Sequence, residues 1–331
     1  MTLSTRIDDP SQAAEARRTA RVLAAGAGFD EASKERVSIV VTEAGTNVLK
    51  HARGGQLLLR LLSAGDIEML ALDSGPGIAD VEACLRDGYS TTGTCGTGLG
   101  AIARLSYYCD VYSKPGHGTA LLARVAPSTN GHRSGRYATG PDALGVIQVA
   151  KHGEEMCGDQ WGIETSGVHT SMLLADGLGH GPDAAKASNA AIAVLERHPD
   201  LSPRDLIETV HLALRPTRGA AVAAARLDSE RRIITFAGLG NISAKVVPPA
   251  EAERHMVSVN GTAGVEARTI REFTYPWPEG SLVILHSDGI GTHWGLHNYP
   301  GLQVRHPSLI AGVIYRDHAR QNDDATIVVL K

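Results

Sequence analysis

DGYSTTGTCGTGLG, residues Asp87–Gly100, is the stretch on which the reading of the front of the chain turns. From Gly93 on, its glycines and threonines leave several backbone N–H groups free to face outward, and a helical pattern follows through about Tyr107. A loop of amides ending on a helix N-terminus suits a polyphosphate. The stretch lacks the lysine of a P-loop, so the phosphates would be held by backbone and not by a Walker-type side chain.

Working outward, Ser11–Ala27 and Asp30–Ala52 carry helical spacing, the second helix capped by Asp30 and ended at Gly54 and Gly55. It sets Glu43, Asn47 and His51 four residues apart on one face. A carboxylate, an amide and an imidazole so arranged also describe a solvated stripe, and three further elements turn the reading toward a site. Strands are predicted at Gln56–Leu62 and Asp66–Asp73, and the second runs into Asp73-Ser-Gly-Pro-Gly77. There an aspartate can accept a hydrogen bond from an exocyclic amine while the glycines let backbone approach a flat base. Beyond the Gly-rich stretch lie strands Asp110–Ser113 and Thr119–Val125, the last entered through Gly116-His-Gly-Thr119, which brings a hydroxyl near the base. Helices followed by a sheet interrupted with glycine loops predict an α/β sandwich.

The order and spacing of these elements, over about residues 10–125, resemble the GHKL ATPase family of gyrase-type ATPases, histidine kinases and anti-sigma-factor serine kinases. Asp87–Thr92 followed at once by Gly96–Gly100 is most similar to the short ATP lid of the small serine kinases of bacterial stress signalling. The resemblance implies a Bergerat-type sandwich binding ATP with Mg²⁺. Asn47 would hold the magnesium, Asp73 would contact adenine, and Gly75, Gly77, Gly96, Gly98, Gly100 and Thr119 would line the pocket. Glu43, one helical turn before Asn47, would accept the proton of an attacking hydroxyl. For His51 a packed or exposed helix-end role stands beside a binding one.

PSTNGHRSGRYATGP, Pro127–Pro141, has no apolar periodicity and reads as a linker, dividing the chain into residues 1–126 and 142–331. The second part is strand-rich: Ala143–Ala150, Trp161–Thr165, Thr170–Ala175, Ala220–Leu227, Arg232–Ala237, Ile242–Val247, Leu282–His286 and Ala325–Leu330. Helices are predicted at Asp183–Arg197, Pro203–Leu214 and Ser308–Arg320, so the fold class is α+β. Acidic residues stand at strand edges beside glycine or another acid: Asp159, Asp176, Asp288 and the pair Asp323/Asp324. Each Asp-Gly alone is an ordinary turn. Together they form an oxygen-rich, thiol-free set that favours Mg²⁺ or Mn²⁺ over zinc.

Gly158-Asp159, Asp176-Gly177, Ser287-Asp288-Gly289 and Asn322-Asp323-Asp324-Ala-Thr326 occur in the order of the metal-dependent 2C-type protein phosphatases and look most like their SpoIIE/RsbX branch. Thr217-Arg-Gly-Ala220 and Asn260-Gly-Thr-Ala-Gly264 add to the likeness, which spans about residues 142–331. It implies an α/β-β/α sandwich with two Mn²⁺ or Mg²⁺ ions. Asp176 would bridge them, Asp159 and Gly177 would complete one sphere, and Asp288 and Asp323 the other. Asp324 would cap or stabilise its turn.

Composition sets the frame. At 331 residues the prior is about two domains, and 43% hydrophobic with 21% charged residues describes ordinary folded domains. Aromatics are only 4%, which predicts cores of small aliphatic side chains. A formal charge of -4 without a basic cluster argues against nucleic acid as a partner. No apolar run reaches membrane-span length and the start lacks a secretory pattern, so a cytoplasmic setting is expected. Cys84, Cys95, Cys109 and Cys157 show no C-x-x-C spacing and are expected as free thiols.

The two resemblances imply a serine/threonine kinase and an opposing phosphatase in one chain, acting on a small STAS-domain antagonist in a bacterial partner-switching pathway. They also imply dimers or larger signalling complexes. The rival reading keeps the phosphatase and makes the front half a nucleotide-dependent partner-binding module without kinase activity. A third makes both halves inert scaffolds.

Overall fold

The computed structural model describes residues 2–52, 54–85, 98–127, 143–320 and 322–331. Gly96, Cys95, the lid stretch Asp87–Thr92 and the linker after Pro127 lie outside the described residues. The chain forms two compact units: Met1–Asp142 with Val304–Arg316, and Ala143–Gln303 with Asp317–Lys331.

The first unit begins with β1 (Leu3–Ile7), a short polar-alternating strand that sequence pattern alone does not reveal. Helix α1 (Pro10–Gly26) follows, started by Asp9, whose side chain accepts from Ser11 N and Gln12 N while Gln12 reaches back in a capping box. Helix α2 (Glu31–Asn47) is capped by Asp30 as predicted but stops at Asn47. Val48–Ala52 is a π-helical turn, so His51 does not continue the α-helical face of Glu43 and Asn47. Strands β2 (Gly55–Leu61) and β3 (Ile67–Asp73), helices α3 (Val81–Leu85) and α4 (Gly98–Leu105), and strands β4 (Tyr108–Ser113) and β5 (Thr119–Val125) complete the run.

The sheet is antiparallel throughout, in the order β1-β2-β3-β5-β4. Alternate residues Leu57, Leu59, Met69, Ala71, Leu121 and Ala123 share a core with Ala16, Ala20, Val37, Val41 and Ile102 of the helices. The other face carries Leu58, Leu70, Leu72 and Leu122, all buried, and a polar row across four strands. Register sets Arg60 opposite Glu68, Glu68 opposite Arg124 and Arg124 opposite Tyr108. Glu68 accepts from Arg60 Nη2 at 2.7 Å and from Arg124 Nε at 2.9 Å.

The helical segment within Val304–Arg316 lies on this face: Ser308 Oγ donates to Glu68 Oε2 at 2.9 Å, and the His306 ring sits 5.1 Å from that of Tyr108. Burial alone would push the Glu68 carboxyl up; the charges of Arg60, Arg124 and His306 overcome it and bring it down to about 2.

The second unit contains two five-stranded antiparallel sheets. One is built from β7 (Asp159–Ser166), β8 (His169–Gly177), β9 (Ala220–Asp228), β10 (Ile233–Leu239) and β13 (Glu272–Pro276), ordered β13-β10-β9-β8-β7. The other takes β6 (Leu144–Val149), β11 (Ser243–Val247), β12 (Arg254–Met256), β14 (Leu282–His286) and β15 (Ala325–Leu330), ordered β12-β11-β14-β15-β6. Leu174, Ala223 and Phe236 of the first sheet share one core with Val246, Val283, Leu285 and Val328 of the second. Helices α5 (Pro182–Arg197) and α6 (Pro203–Ala213) cover the first sheet's outer face, with Leu195, Leu206 and Val210 against Leu173, Val222 and Ala224. The alanines of β9 permit this close seating. The last helix is α7 (Pro307–His318). No described helix is long and apolar enough to cross a membrane.

Glu68→Gln is expected to destabilise the chain by about 3–5 kcal/mol at neutral pH, because two buried guanidinium groups lose their counter-charge. The native carboxyl titrates below its ordinary 4.5, so its stabilisation holds above that pH and is lost as pH falls toward about 2. Urea unfolding of parent and variant at pH 7 and pH 3 should show the gap narrowing at the lower pH.

Candidate functional sites

In the first unit, Glu43 and Asn47 come to lie against the opening of α4. A methyl built on Gly98 would sit 3.1 Å from Glu43 Oε2 and 3.1 Å from Asn47 Oδ1. The helix N-terminus thus stands beside a carboxylate and an amide. Gly100 is buried two residues into α4. Ala52, closing the π-turn after Asn47, packs on Gly75, where an added Cβ would fall 2.7 Å from Ala52 Cα.

Gly75 N donates to Asp73 Oδ1 at 2.8 Å and Thr119 N to the same oxygen at 3.2 Å. Burial pushes the Asp73 carboxyl up, and these two N–H groups oppose it. Thr119 Oγ1 is 2.9 Å from Ser113 Oγ, which also takes the Ile78 N–H at 2.8 Å. Gly77, at φ 73°, lies against the Lys114 carbonyl and so binds the loop after β3 to the turn before β5. Asp73, Gly75 and Thr119 therefore form one hydrogen-bonded group, and Glu43 and Asn47 stand together beside Gly98.

In the second unit, Asp159 opens β7 and Asp176 nearly closes β8, and the antiparallel register sets them opposite each other. Gly177 N donates to Gly158 O at 3.2 Å. A side chain on Gly177 would strike the Ala184 carbonyl at 2.2 Å, so glycine is what lets the start of α5 close over this strand end. Asp159 is only 1% exposed; its Oδ2 accepts from Ser287 Oγ at 2.6 Å and its Oδ1 is buried without a hydrogen-bond partner. Ser287 Oγ in turn accepts from Thr326 N at 3.0 Å, tying β14 to β15. Asp288 Oδ2 accepts from Asn241 Nδ2 at 2.7 Å.

Both oxygens of Asp324 are taken by backbone, Oδ1 by Lys151 N at 2.8 Å and Oδ2 by Gly158 N at 3.0 Å. Asp323 is half-buried, its Oδ1 accepting from Asp324 N at 3.0 Å.

These carboxylates act on one another. Burial raises Asp176 most, and the charges of Asp159, Asp288 and Asp323 add to it. Asp159 is raised by burial, held back by the hydrogen bond from Ser287. Asp288 is raised by burial and then by Asp323, with Arg320 opposing. The buried thiol of Cys157 is pushed far up by burial and by Asp159 and Asp324. Among the described residues no three His, Cys, Asp or Glu side chains are already drawn together as a cage. The donors are nevertheless of one kind: hard oxygens, negatively charged and costly to keep together without a cation, including an orphaned Asp159 oxygen. This set fits a divalent, oxygen-seeking ion.

Residues 8–125 match the histidine kinase-like ATPase domain family, and residues 166–331 match the stage II sporulation protein E (SpoIIE) family. Over 111 residues the chain is 31% identical to the serine/threonine-protein kinase RsbT of Bacillus subtilis (strain 168), covering 33% of this chain and 84% of that protein. The chain belongs to the SpoIIE family at its rear and to the RsbT family at its front.

Its SpoIIE part is 26% identical over 145 residues to the phosphoserine phosphatase RsbX of the same organism, covering 44% of this chain and 73% of that protein. A solved chain described under "The bacterial stressosome: a modular system that has been adapted to control secondary messenger signaling" aligns at TM-score 0.53 and 28% identity. It covers 57% of this chain and 98% of that one. RsbX in complex with magnesium aligns at TM-score 0.51 and 23% identity, covering 56% and 92%, and shares the fold. The expected architecture is met: a GHKL-like ATPase domain joined to a SpoIIE-type, PP2C-like phosphatase domain.

Two supporting residues of the SpoIIE part escape a reading by motif. Ser287 looks like a spacer in Ser-Asp-Gly, and Asn241 like half of a Gly-Asn turn; only the folded strands bring them to Asp159 and Asp288. Ser287→Ala removes the donor that orients Asp159. It is expected to weaken divalent-ion affinity by about tenfold or more, measured as the Mn²⁺ concentration for half-maximal hydrolysis of p-nitrophenyl phosphate.

Proposed function

We propose that the chain is a bifunctional regulator of a partner-switching pathway, with a protein-serine/threonine kinase in residues 1–126, a linker at 127–141 and a metal-dependent phosphoprotein phosphatase in 142–331. The observation that carries the kinase half is Glu43 and Asn47 standing together beside Gly98 at the opening of α4. In this reading the γ-phosphoryl of ATP passes to a Ser or Thr hydroxyl of the partner, ADP departs, and Glu43 takes the hydroxyl proton. Asn47 holds Mg²⁺, Asp73 accepts from the adenine amine, and Gly75, Gly77, Gly96, Gly98, Gly100 and Thr119 shape the pocket.

For the rear half, Asp159, Asp176, the Gly177 carbonyl, Asp288 and Asp323 would hold two Mn²⁺ or Mg²⁺ ions. Such a pair, when bound, supplies a water of lowered pKa and clamps the phosphate. The protein's own part is to present carboxylates from four strand ends and to fix two of them through Ser287 and Asn241. The likeness to a phosphoserine phosphatase and to a serine/threonine-protein kinase supports opposed action on Ser or Thr of a protein, and the substrate proposed is a small STAS-domain antagonist. Free thiols at Cys84, Cys109 and Cys157 are consistent with a reducing, cytoplasmic setting.

Transfer of label from γ-³²P-ATP to a purified STAS-domain partner tests the kinase. Glu43→Ala is expected to cut transfer by about 100-fold or more while nucleotide still binds. Binding without transfer in the parent, or a rate untouched by the substitution, would leave a partner-binding module in its place. Asp176→Asn should abolish Mn²⁺-dependent dephosphorylation of the same partner; full activity in that variant would refute the assigned metal site.

A further inference from the structure

The segment Val304–Arg316 stands far down the sequence, within the SpoIIE match, yet it belongs to the first compact unit. Ser308, Gly312 and Arg316 recur every four residues and therefore share one face of α7. That face follows β3. Ser308 Oγ bonds Glu68, an added Cβ on Gly312 would lie 3.1 Å from Leu72 Cδ2 and 3.4 Å from Leu70 Cδ2, and Arg316 Nη1 donates to the Asp73 carbonyl at 3.1 Å. Tyr315 adds a side contact, its hydroxyl accepting from Gln56 Nε2 at 3.3 Å.

Asp73 is the last residue of β3, and its carbonyl meets Gly118 and Arg316. Gly118, at φ 81°, leaves its α-carbon bare toward that oxygen; a Cβ there would sit 2.0 Å from it. The Arg316 guanidinium donates to the same oxygen. The carboxylate of the same residue accepts from Gly75 N and Thr119 N. Fixing the peptide fixes where the remaining carboxylate edge points.

We infer that Arg316 is a positioning residue of the nucleotide site, holding the Asp73 backbone so that its carboxylate faces the exocyclic amine of an adenine nucleotide. The inference rests on the reading of Asp73 as the adenine acceptor. Base selectivity in the first unit then depends on a side chain encoded almost at the end of the chain. Arg316 also supplies positive charge near Asp73, opposing the effect of its burial.

The test uses the full chain with Mg²⁺ and compares affinities for ADP and IDP, which carries a carbonyl where ADP has the amine. Parent, Arg316→Ala, Arg316→Lys and Asp73→Asn are titrated by calorimetry. Arg316→Ala is expected to weaken ADP about tenfold, the effect of one charge-assisted hydrogen bond, while leaving IDP nearly unchanged. The ADP:IDP ratio thus falls toward that of Asp73→Asn, and Arg316→Lys, which can donate to the same carbonyl, restores most of it.

An unchanged ratio in Arg316→Ala with a collapsed ratio in Asp73→Asn overturns the inference and leaves the Asp73 reading standing. Equal loss of ADP and IDP in Arg316→Ala marks a general loosening and also overturns it. An unchanged ratio in Asp73→Asn removes the Asp73 reading and the inference together. Should Arg316→Ala fail to fold, Arg316→Gln decides by the same ratio.

Discussion

Strand register is the constraint on which both sites depend. In the first unit it sets Asp73 opposite Thr119, so a carboxylate and the N–H that fixes it meet at one end of the sheet. In the second it sets Asp159 opposite Asp176 at the open end of the β7–β8 hairpin. A slip of one residue in either ladder would turn these side chains to the other face and bury the wrong set. In the first unit leucines fill both faces, and what holds the register is the polar row, where Arg60 and Arg124 meet Glu68 only in this pairing. The pairing thus does more than stabilise; it fixes the chemistry's geometry.

Buried charge is handled in two opposite ways. On the first sheet Glu68 is enclosed between two guanidinium groups and a serine hydroxyl, and its carboxyl is held ionised. At the β7–β8 end carboxylates face one another; burial drives Asp159 and Asp176 up, with the charge of Asp324 adding to the first and those of Asp159, Asp288 and Asp323 to the second. The first arrangement is satisfied within the protein and reads as structure. The second leaves charge uncompensated by the protein's own side chains, an arrangement that fits a cation. Asp324 shows the contrast at single-residue scale: both its oxygens are filled by backbone N–H groups, while Asp159 beside it keeps an oxygen unpaired.

Much of this was legible in the sequence because the decisive residues sit at local punctuation. Asp73-Ser-Gly-Pro-Gly77 and Ser287-Asp288-Gly289 are strand ends followed by glycine, and β5, β14 and β15 fall where alternation and β-branched residues place them. The missed elements are edge strands and one short helix. Residues 3–7, 254–256 and 272–276 bury too few side chains to leave an apolar pattern, their pairing coming wholly from a neighbour. The π-turn after Asn47 was also invisible, since Val48–Ala52 has unremarkable helix-forming residues. Supporting contacts such as Ser287 to Asp159 span 128 positions and carry no local signal at all.

The same reasoning explains why α7 is the hardest element to read. Its sequence is apolar nearly all round, with Leu309, Ile310, Ala311, Val313 and Ile314 each fully buried, so hydrophobic pattern alone assigns it no partner. What assigns one is its small and polar residues: Gly312 admits Leu72, and Ser308 meets Glu68. At Arg316 the helix is still part of the first unit; from Asp317 it is part of the second, where His318 O accepts from Gly291 N and Arg320 N donates to Gly289 O. Gly289 follows Asp288 directly, and Asp323 lies three residues beyond Arg320. Hydrophobic pattern could not divide the helix in this way; the division rests on which side chains its small and polar residues meet.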